Sequence, residues 1–126
     1  MIQFNEDVKN TIMEAAEILY KSVGSTLGPN GKNVILPNGL ITKDGVTVAK
    51  YVHSHKPEVQ KVIEIIRNVA IKTGDDAGDG TTTSVILTYH LLKEGFDFLE
   101  SHSNYSVTEL RNALLDECQK AVTFIK

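Results

Sequence analysis

"KTGDDAGDGTTTSVIL", residues Lys72 to Leu87, holds three acids, three glycines and three consecutive threonines, and closes on an apolar run. The Gly and Asp residues from Gly74 to Asp76, and again from Gly78 to Gly80, are expected to end any helix arriving from the left. From Thr81 the pattern reads as a helix beginning again. A helix start carries unpaired backbone N–H groups and the positive end of a dipole, which together make a natural phosphate seat. Glycine lets the backbone approach a phosphate closely, the threonines add hydroxyls, and Asp79 is a hard oxygen ligand suited to magnesium. The same residues also make a plain turn with a Thr-rich cap, and residue types alone leave both readings open. The stretch is not a GxxxxGK[ST] loop, because no lysine follows its last glycine.

Working outward, Pro57 suits the first position of a helix. Val59, Val62, Ile63, Ile66, Val69 and Ala70 follow it at helical spacing. On the other side a long helix from about Thr81 carries Val85, Thr88, Leu92, Phe96 and Leu99. After the polar "SHSNYS", Ser106 and Glu109 have capping-box spacing. Leu110, Leu114, Ala121 and Ile125 begin a last helix face that runs to Lys126 without a stop signal, as a frayed end or a piece of a longer protein would.

Near the start, "MIQF" reads as a short strand and Asn5 as a cap, with Glu6 and Asp7 favourable in a first turn. Val8, Ile12, Ala15, Leu19 and Val23 then define a helix face, weakened at Gly24 and ended by "GPNG", Gly28 to Gly31. "KNVIL" (Lys32–Leu36) and "LITKDG" read as two strands around the turn "PNG", Pro37 to Gly39. "VTVAKYV" fits a short extended piece or a helical turn equally. The expectation is a mainly α, multihelical fold of four helices with a small β-hairpin, which alone would be marginal and so should pair with something else.

The totals constrain function more loosely. The chain has 126 residues, enough for one domain with a core, and 41% are hydrophobic. A net charge of −3, from 13 basic and 16 acidic residues, argues against nucleic acid as the main partner. No run approaches membrane-spanning length, and no secretory signal opens the chain. The single cysteine, Cys118, permits no internal disulfide and is expected to be a packed thiol rather than a nucleophile. His53 and His55 stand two apart without a third ligand near in sequence, so a surface pair is expected rather than a metal site. Thr26 to Asn33 could wrap a nucleotide or merely connect a helix to the hairpin. In "TKDG", Lys43 could neutralise phosphate and Asp44 orient a water, or the acid could simply end a strand.

Taken in order, "TLGPNGKNVIL" (Thr26–Leu36), "ITKDGVTVAK" (Ile41–Lys50) and "AGDGTTTSVIL" (Ala77–Leu87) resemble the N-terminal equatorial segment of group I, bacterial-type chaperonins, the barrel-forming ATPases that assist folding. The resemblance runs from about Phe4 to Lys126, and the set of motifs at these intervals is highly specific. It implies that residues 1–126 are the N-terminal segment of an equatorial domain, without the intermediate and apical domains. It implies ATP, magnesium and potassium as cofactors. Thr26, Leu27, Gly28 and Pro29 would form the turn over the nucleotide. Asp79 would hold magnesium, and Gly80, Thr81, Thr82 and Thr83 the phosphates. Thr26, Lys43 and Thr82 would lie near potassium, and Asp44 near the reacting phosphate as the catalytic acid. The hairpin through Lys32 to Thr42 would pair with a neighbouring subunit's terminal strands.

The resemblance further implies a ring of chaperonin subunits. Unfolded clients and a co-chaperonin lid would be engaged through the absent domains, in the cytoplasm of a bacterium or of a virus's host. The second catalytic acid and the base and ribose contacts would lie outside this chain, so the isolated chain is expected to turn over little or nothing. The alternative is a non-catalytic assembly module derived from such a domain. Three departures, the short "PNG" tip, a short N-terminal strand before Phe4 and Tyr105-Ser106 where a proline commonly opens the last helix, point to a divergent member from a virus or an unusual lineage.

Overall fold

A computed structural model describes residues 5–126, with Asn5 placed in its backbone only. The expected N-terminal strand lies outside the described residues, as does the side chain of the expected Asn5 cap. Two compact units divide the chain, one up to Leu92 and one from Lys93 to Lys126.

The first unit holds α1 (Asn5–Gly24), β1 (Val34–Ile35), β2 (Ile41–Thr42), α2 (Gly45–Tyr51), α3 (Pro57–Ala77) and the opening of α4 (Thr81–Ser101). Helix α1 packs along α3, with α2 against both. The predicted stripe of α1 closes the core from one side, since Ala15, Leu19 and Val23 are fully buried, joined by Ala16. Val59, Ile63, Ile66 and Ala70 of α3 meet them, with Val48 and Ala49 of α2 and Val85 of α4 completing the cluster. Val8 and Val69, on the predicted faces, are exposed. Pro57 occupies the first turn of α3 as expected.

The strands pair antiparallel, Val34 with Thr42 and Ile35 with Ile41, so the hairpin is present but much shorter than its sequence suggested. Its turn closes through the Gly39 amide donating to the Leu36 carbonyl at 2.8 Å. Asn38 Nδ2 donates to the Tyr51 hydroxyl at 3.1 Å, tying the turn to α2.

Two expectations are corrected. "VTVAKYV" is helical for most of its length, giving five helices rather than four. The Gly74-Asp75-Asp76 run does not break α3, which continues to Ala77 and ends where Gly78 adopts φ 80°. Lys72 braces this last turn through an i,i+4 ion pair with Asp76 at 2.7 Å. Gly74 itself serves close packing, because a Cβ there would overlap Thr81 Oγ1 at the start of α4.

The second unit contains the end of α4, a short connection and α5 (Val107–Ile125). Ser106 caps α5 as predicted, its hydroxyl accepting from the Glu109 amide at 3.1 Å. Phe98 stacks on His102 with ring centroids 4.2 Å apart. No residue of α5 is buried, and Cys118 is exposed rather than packed.

Alanine for glycine inside a helix normally gains roughly 0.5–1 kcal/mol. Gly74→Ala is expected to lose stability instead, because the stiff threonine at 81 blocks the new methyl group. In a Thr81→Ala background the same change should become stabilising. Urea unfolding of the four variants checks this, and a Gly74→Ala gain in the otherwise unchanged chain would contradict the packing role.

Candidate functional site

The link between α3 and α4 is three residues long. Gly78 and Gly80 both adopt positive φ, 80° and 101°, a conformation that a Cβ disfavours. They let the chain reverse around Asp79. The Gly80 carbonyl accepts the first helical bond of α4, from Ser84 N–H at 2.8 Å. A glycine at this position offers no side chain to cap the helix, so the first-turn amides of Thr81, Thr82 and Thr83 stay available. Asp79 Oδ1 accepts from the Gly80 amide at 2.6 Å, which fixes the carboxylate beside that open helix end.

A polar cleft of about 300 Å³ forms here. Thr81 and Thr82 come to it from α4, and Gly78 and Asp79 from the link. The last turn of α3 contributes Gly74 and Asp75, and the start of α2 contributes Asp44, Gly45 and Val46. The structure thus brings together Asp44, Asp79, Thr81 and Thr82 of the predicted site residues. Thr26 sits at the margin, buried, with its hydroxyl donating to the Val23 carbonyl at 2.7 Å. It meets the cleft through Gly45, where a Cβ would overlap Thr82 Oγ1 and fall 3.3 Å from Thr26 Oγ1. Gly28 and Pro29 stand in the exposed turn that follows, closed by the Gly31 amide donating to the Gly28 carbonyl at 2.9 Å. Leu27, Lys43 and Thr83 are exposed, and neither they nor Gly80 line the cleft.

Gly45, Gly74 and Asp75 were missed as site residues. The first two were read as turn or helix-ending signals, whereas both are close-approach positions. Asp75 reaches the cleft only because α3 outruns its apparent stop.

Asp44 is the N-cap of α2. Its Oδ2 accepts from the Thr47 hydroxyl at 2.5 Å and from the Thr47 amide at 3.2 Å. The Thr47 hydroxyl is the main cause holding this carboxyl below the usual carboxylate range. Partial burial works against the shift, while the Thr47 and Val46 amides and the Lys50 charge add to it. Asp44 is therefore ionised at neutral pH. Although Asp44, Asp75 and Asp79 line one cleft, no three acid, histidine or cysteine side chains among the described residues are grouped to hold a metal by themselves. A cation here would take one carboxylate from the protein and the rest of its oxygens from water and ligand, the habit of magnesium. His53 and His55 form the exposed pair expected, with ring centroids 5.9 Å apart. No helix among the described residues is long and apolar enough to cross a membrane.

A short-linked helical unit with a hairpin and a polar cleft at a helix start is the architecture of a chaperonin equatorial fragment. The sequence model of the TCP-1/cpn60 chaperonin family matches residues 19–126, and the chain belongs to that family. It is similar to the chaperonin gp146 from the bacteriophage EL 2 (Pseudomonas aeruginosa), solved in the presence of ATP-BeFx. One crystal form matches with 37% identity and a TM-score of 0.65, covering 78% of this chain and 19% of that one. The other matches with 36% identity and a TM-score of 0.66, covering 79% and 20%. The chain thus spans about a fifth of the length of that phage chaperonin.

Because the folded pKa of Asp44 is depressed, its contribution is present above the unfolded value of about 3.9 and is lost as pH falls through the folded value. Asp44→Ala is expected to cost about 1 kcal/mol at neutral pH. That gap should hold down to about pH 5 and shrink below about pH 4. Urea titrations at several pH values test this, and a gap undiminished at about pH 2 would contradict a charged cap.

Proposed function

We propose that this chain is the phosphate and magnesium half-site of a chaperonin subunit that couples ATP hydrolysis to protein folding. The carrying observation is one cleft that gathers an uncapped start of a long helix, Asp79 and Asp44. The phage relative solved in the presence of ATP-BeFx supports the same reading.

In this reading the amides and hydroxyls of Thr81, Thr82 and Thr83, with the flexible backbone of Gly80, bind phosphate oxygens. Asp79 holds magnesium, and Thr26, Leu27, Gly28 and Pro29 form the turn over the nucleotide. Lys43, with Thr26 and Thr82, would stand near a bound potassium ion. Asp44, kept ionised by Thr47, accepts a hydrogen bond or a proton from a water near the reacting phosphate. The residues present fit a magnesium–triphosphate complex better than a bare triphosphate, since no Lys, Arg or His lines the cleft. Bound magnesium supplies charge neutralisation and polarises the phosphoryl oxygens.

Residues 1–126 act in this reading as the N-terminal segment of an equatorial domain. Ring assembly, client binding, a co-chaperonin lid and a cytoplasmic site of action belong to the whole subunit. Among the described residues the cleft lining has no aromatic side chain to stack a base, so the isolated chain should bind nucleotide weakly and turn over essentially none.

The alternative, an assembly module without turnover, draws on exposed apolar side chains. Phe124 is 92% exposed, Ile125 82% and Ile35 74%, and among the described residues the hairpin pairs with no further strand. Self-association is expected for either reading, and a strictly monomeric chain at high micromolar concentration by analytical ultracentrifugation would contradict it. The functional test is calorimetric titration of magnesium-ATP into the chain and its Asp79→Ala variant, paired with phosphate release. Weak, magnesium-dependent binding that Asp79→Ala abolishes is the expected result. Micromolar binding indifferent to both magnesium and Asp79, or robust hydrolysis by the chain alone, would overturn the half-site.

A further inference from the structure

His53 and His55 lie on the stretch between α2 and α3, residues 52–56, and neither lines the cleft of the half-site. Three observations make them more than two surface imidazoles. The first is separation. Their ring centroids are 5.9 Å apart and the rings stand edge to face, at 89°. A metal ion about 2.0–2.1 Å from one nitrogen of each of two imidazoles holds the centroids roughly 5–6 Å apart. The second is the tautomer. His53 Nδ1 lies 3.2 Å from the Tyr51 carbonyl. A carbonyl only accepts, so Nδ1 carries the proton and Nε2 keeps its lone pair. A ring N–H donating to a backbone carbonyl is the arrangement that orients a metal-ligating histidine and strengthens its other nitrogen as a ligand. Among the described residues no hydrogen bond occupies either nitrogen of His55. The third is order. The Val52 carbonyl accepts from Arg67 Nη1 at 3.3 Å. The Ser54 amide donates to Gln60 Oε1 at 2.9 Å, and the Lys56 amide to the Ser54 hydroxyl at 3.2 Å. The neighbouring ammonium, on Lys56, is paired with Glu14 of α1 at 2.9 Å, so its charge is compensated.

We propose that His53 and His55 form an open binding site for a late first-row divalent cation, of the zinc, nickel and copper class. Imidazole is the ligand these ions share, whereas magnesium keeps to hard oxygen ligands. The ion takes His53 Nε2 and one nitrogen of His55. Water completes its shell, because among the described residues no third histidine, cysteine or acid is grouped with the pair. Two protein ligands on an exposed stretch make an exchangeable site, unlike the closed four-ligand sites that zinc uses to build structure. The ring separation and the Tyr51 contact exist only in the folded chain. The ion therefore ties the end of α2 to the start of α3 and stabilises the fold by mass action. The site is separate from the nucleotide half-site in both residues and ligand chemistry.

Calorimetric titration of zinc chloride into the full chain tests this. A Cys118→Ser background is used, because the exposed thiol of Cys118 is a competing zinc ligand. One zinc per chain is expected, with an affinity that excess magnesium chloride leaves unchanged. His53→Ala and His55→Ala should each weaken zinc at least roughly tenfold, the lower end of what losing a supporting contact outside the ligand shell costs. His90→Ala, which removes another exposed histidine, should change the affinity by less than about twofold, as expected of an independent position. In the same background with residues 52–56 intact, substoichiometric nickel chloride should broaden the imidazole proton resonances of His53 and His55 before those of His90 and His102. That readout needs no change to the proposed ligands. Absence of zinc binding, an affinity unchanged in both variants, a loss in one variant only, or broadening that begins at His90 or His102 would each overturn the site.

Discussion

The site depends on a helix start that is left without a side-chain cap. Most helix ends in a folded chain are satisfied locally, because orphan amides are costly to bury. Here Ser106 does this for α5 and Asp44 for α2. At α4 the corresponding place is taken by Gly80, which supplies a carbonyl to the helix and nothing to its free amides. The end is instead held in position from outside. Thr81 is wedged against Gly74 of α3, Thr82 against Gly45 of α2, and Val85 anchors the first turn in the core. Three helices thus converge on an open dipole end, and the cleft is the space they leave.

That convergence explains the distribution of charge. An open helix start attracts anions in general, and a cell holds many. In the proposed half-site, the acids around the opening would favour an anion that brings its own cation. Asp44 serves two ends at once. Its Thr47 contacts stabilise α2, and the same contacts keep a charged oxygen at the cleft. Structure and chemistry are coupled through that residue, so substitutions there should be read on both stability and binding.

Much of the fold was legible because it follows from periodicity. The α1 stripe of Ala15, Leu19 and Val23 and the α3 stripe of Val59, Ile63 and Ile66 are both buried as spaced. The cap at Ser106 followed from its offset to Glu109. What was not legible is what tertiary contact decides. Helix α2 is seven residues long, under two turns in a sequence rich in β-branched Val46, Thr47 and Val48, so neither propensity nor period could choose helix over strand. Gly74 looked like a breaker because glycine usually is one, but its missing side chain is needed by Thr81. Asp44, Asp79, Thr81 and Thr82 could be nominated from their motifs. Their meeting with Asp75 and Gly45 in one cleft depends on how three helices pack, which no local pattern carries.

The central claim is that the start of α4 receives the phosphates of a magnesium-bound nucleotide. Backbone amide shifts in a nuclear magnetic resonance titration with magnesium-ATP report on it directly. The account predicts that the largest changes fall on Gly78 to Thr83, with a second set at Asp44 to Thr47, and that magnesium chloride alone reproduces few of them. Amides at Gly78 to Thr83 that stay still while the hairpin or α5 shifts would contradict it.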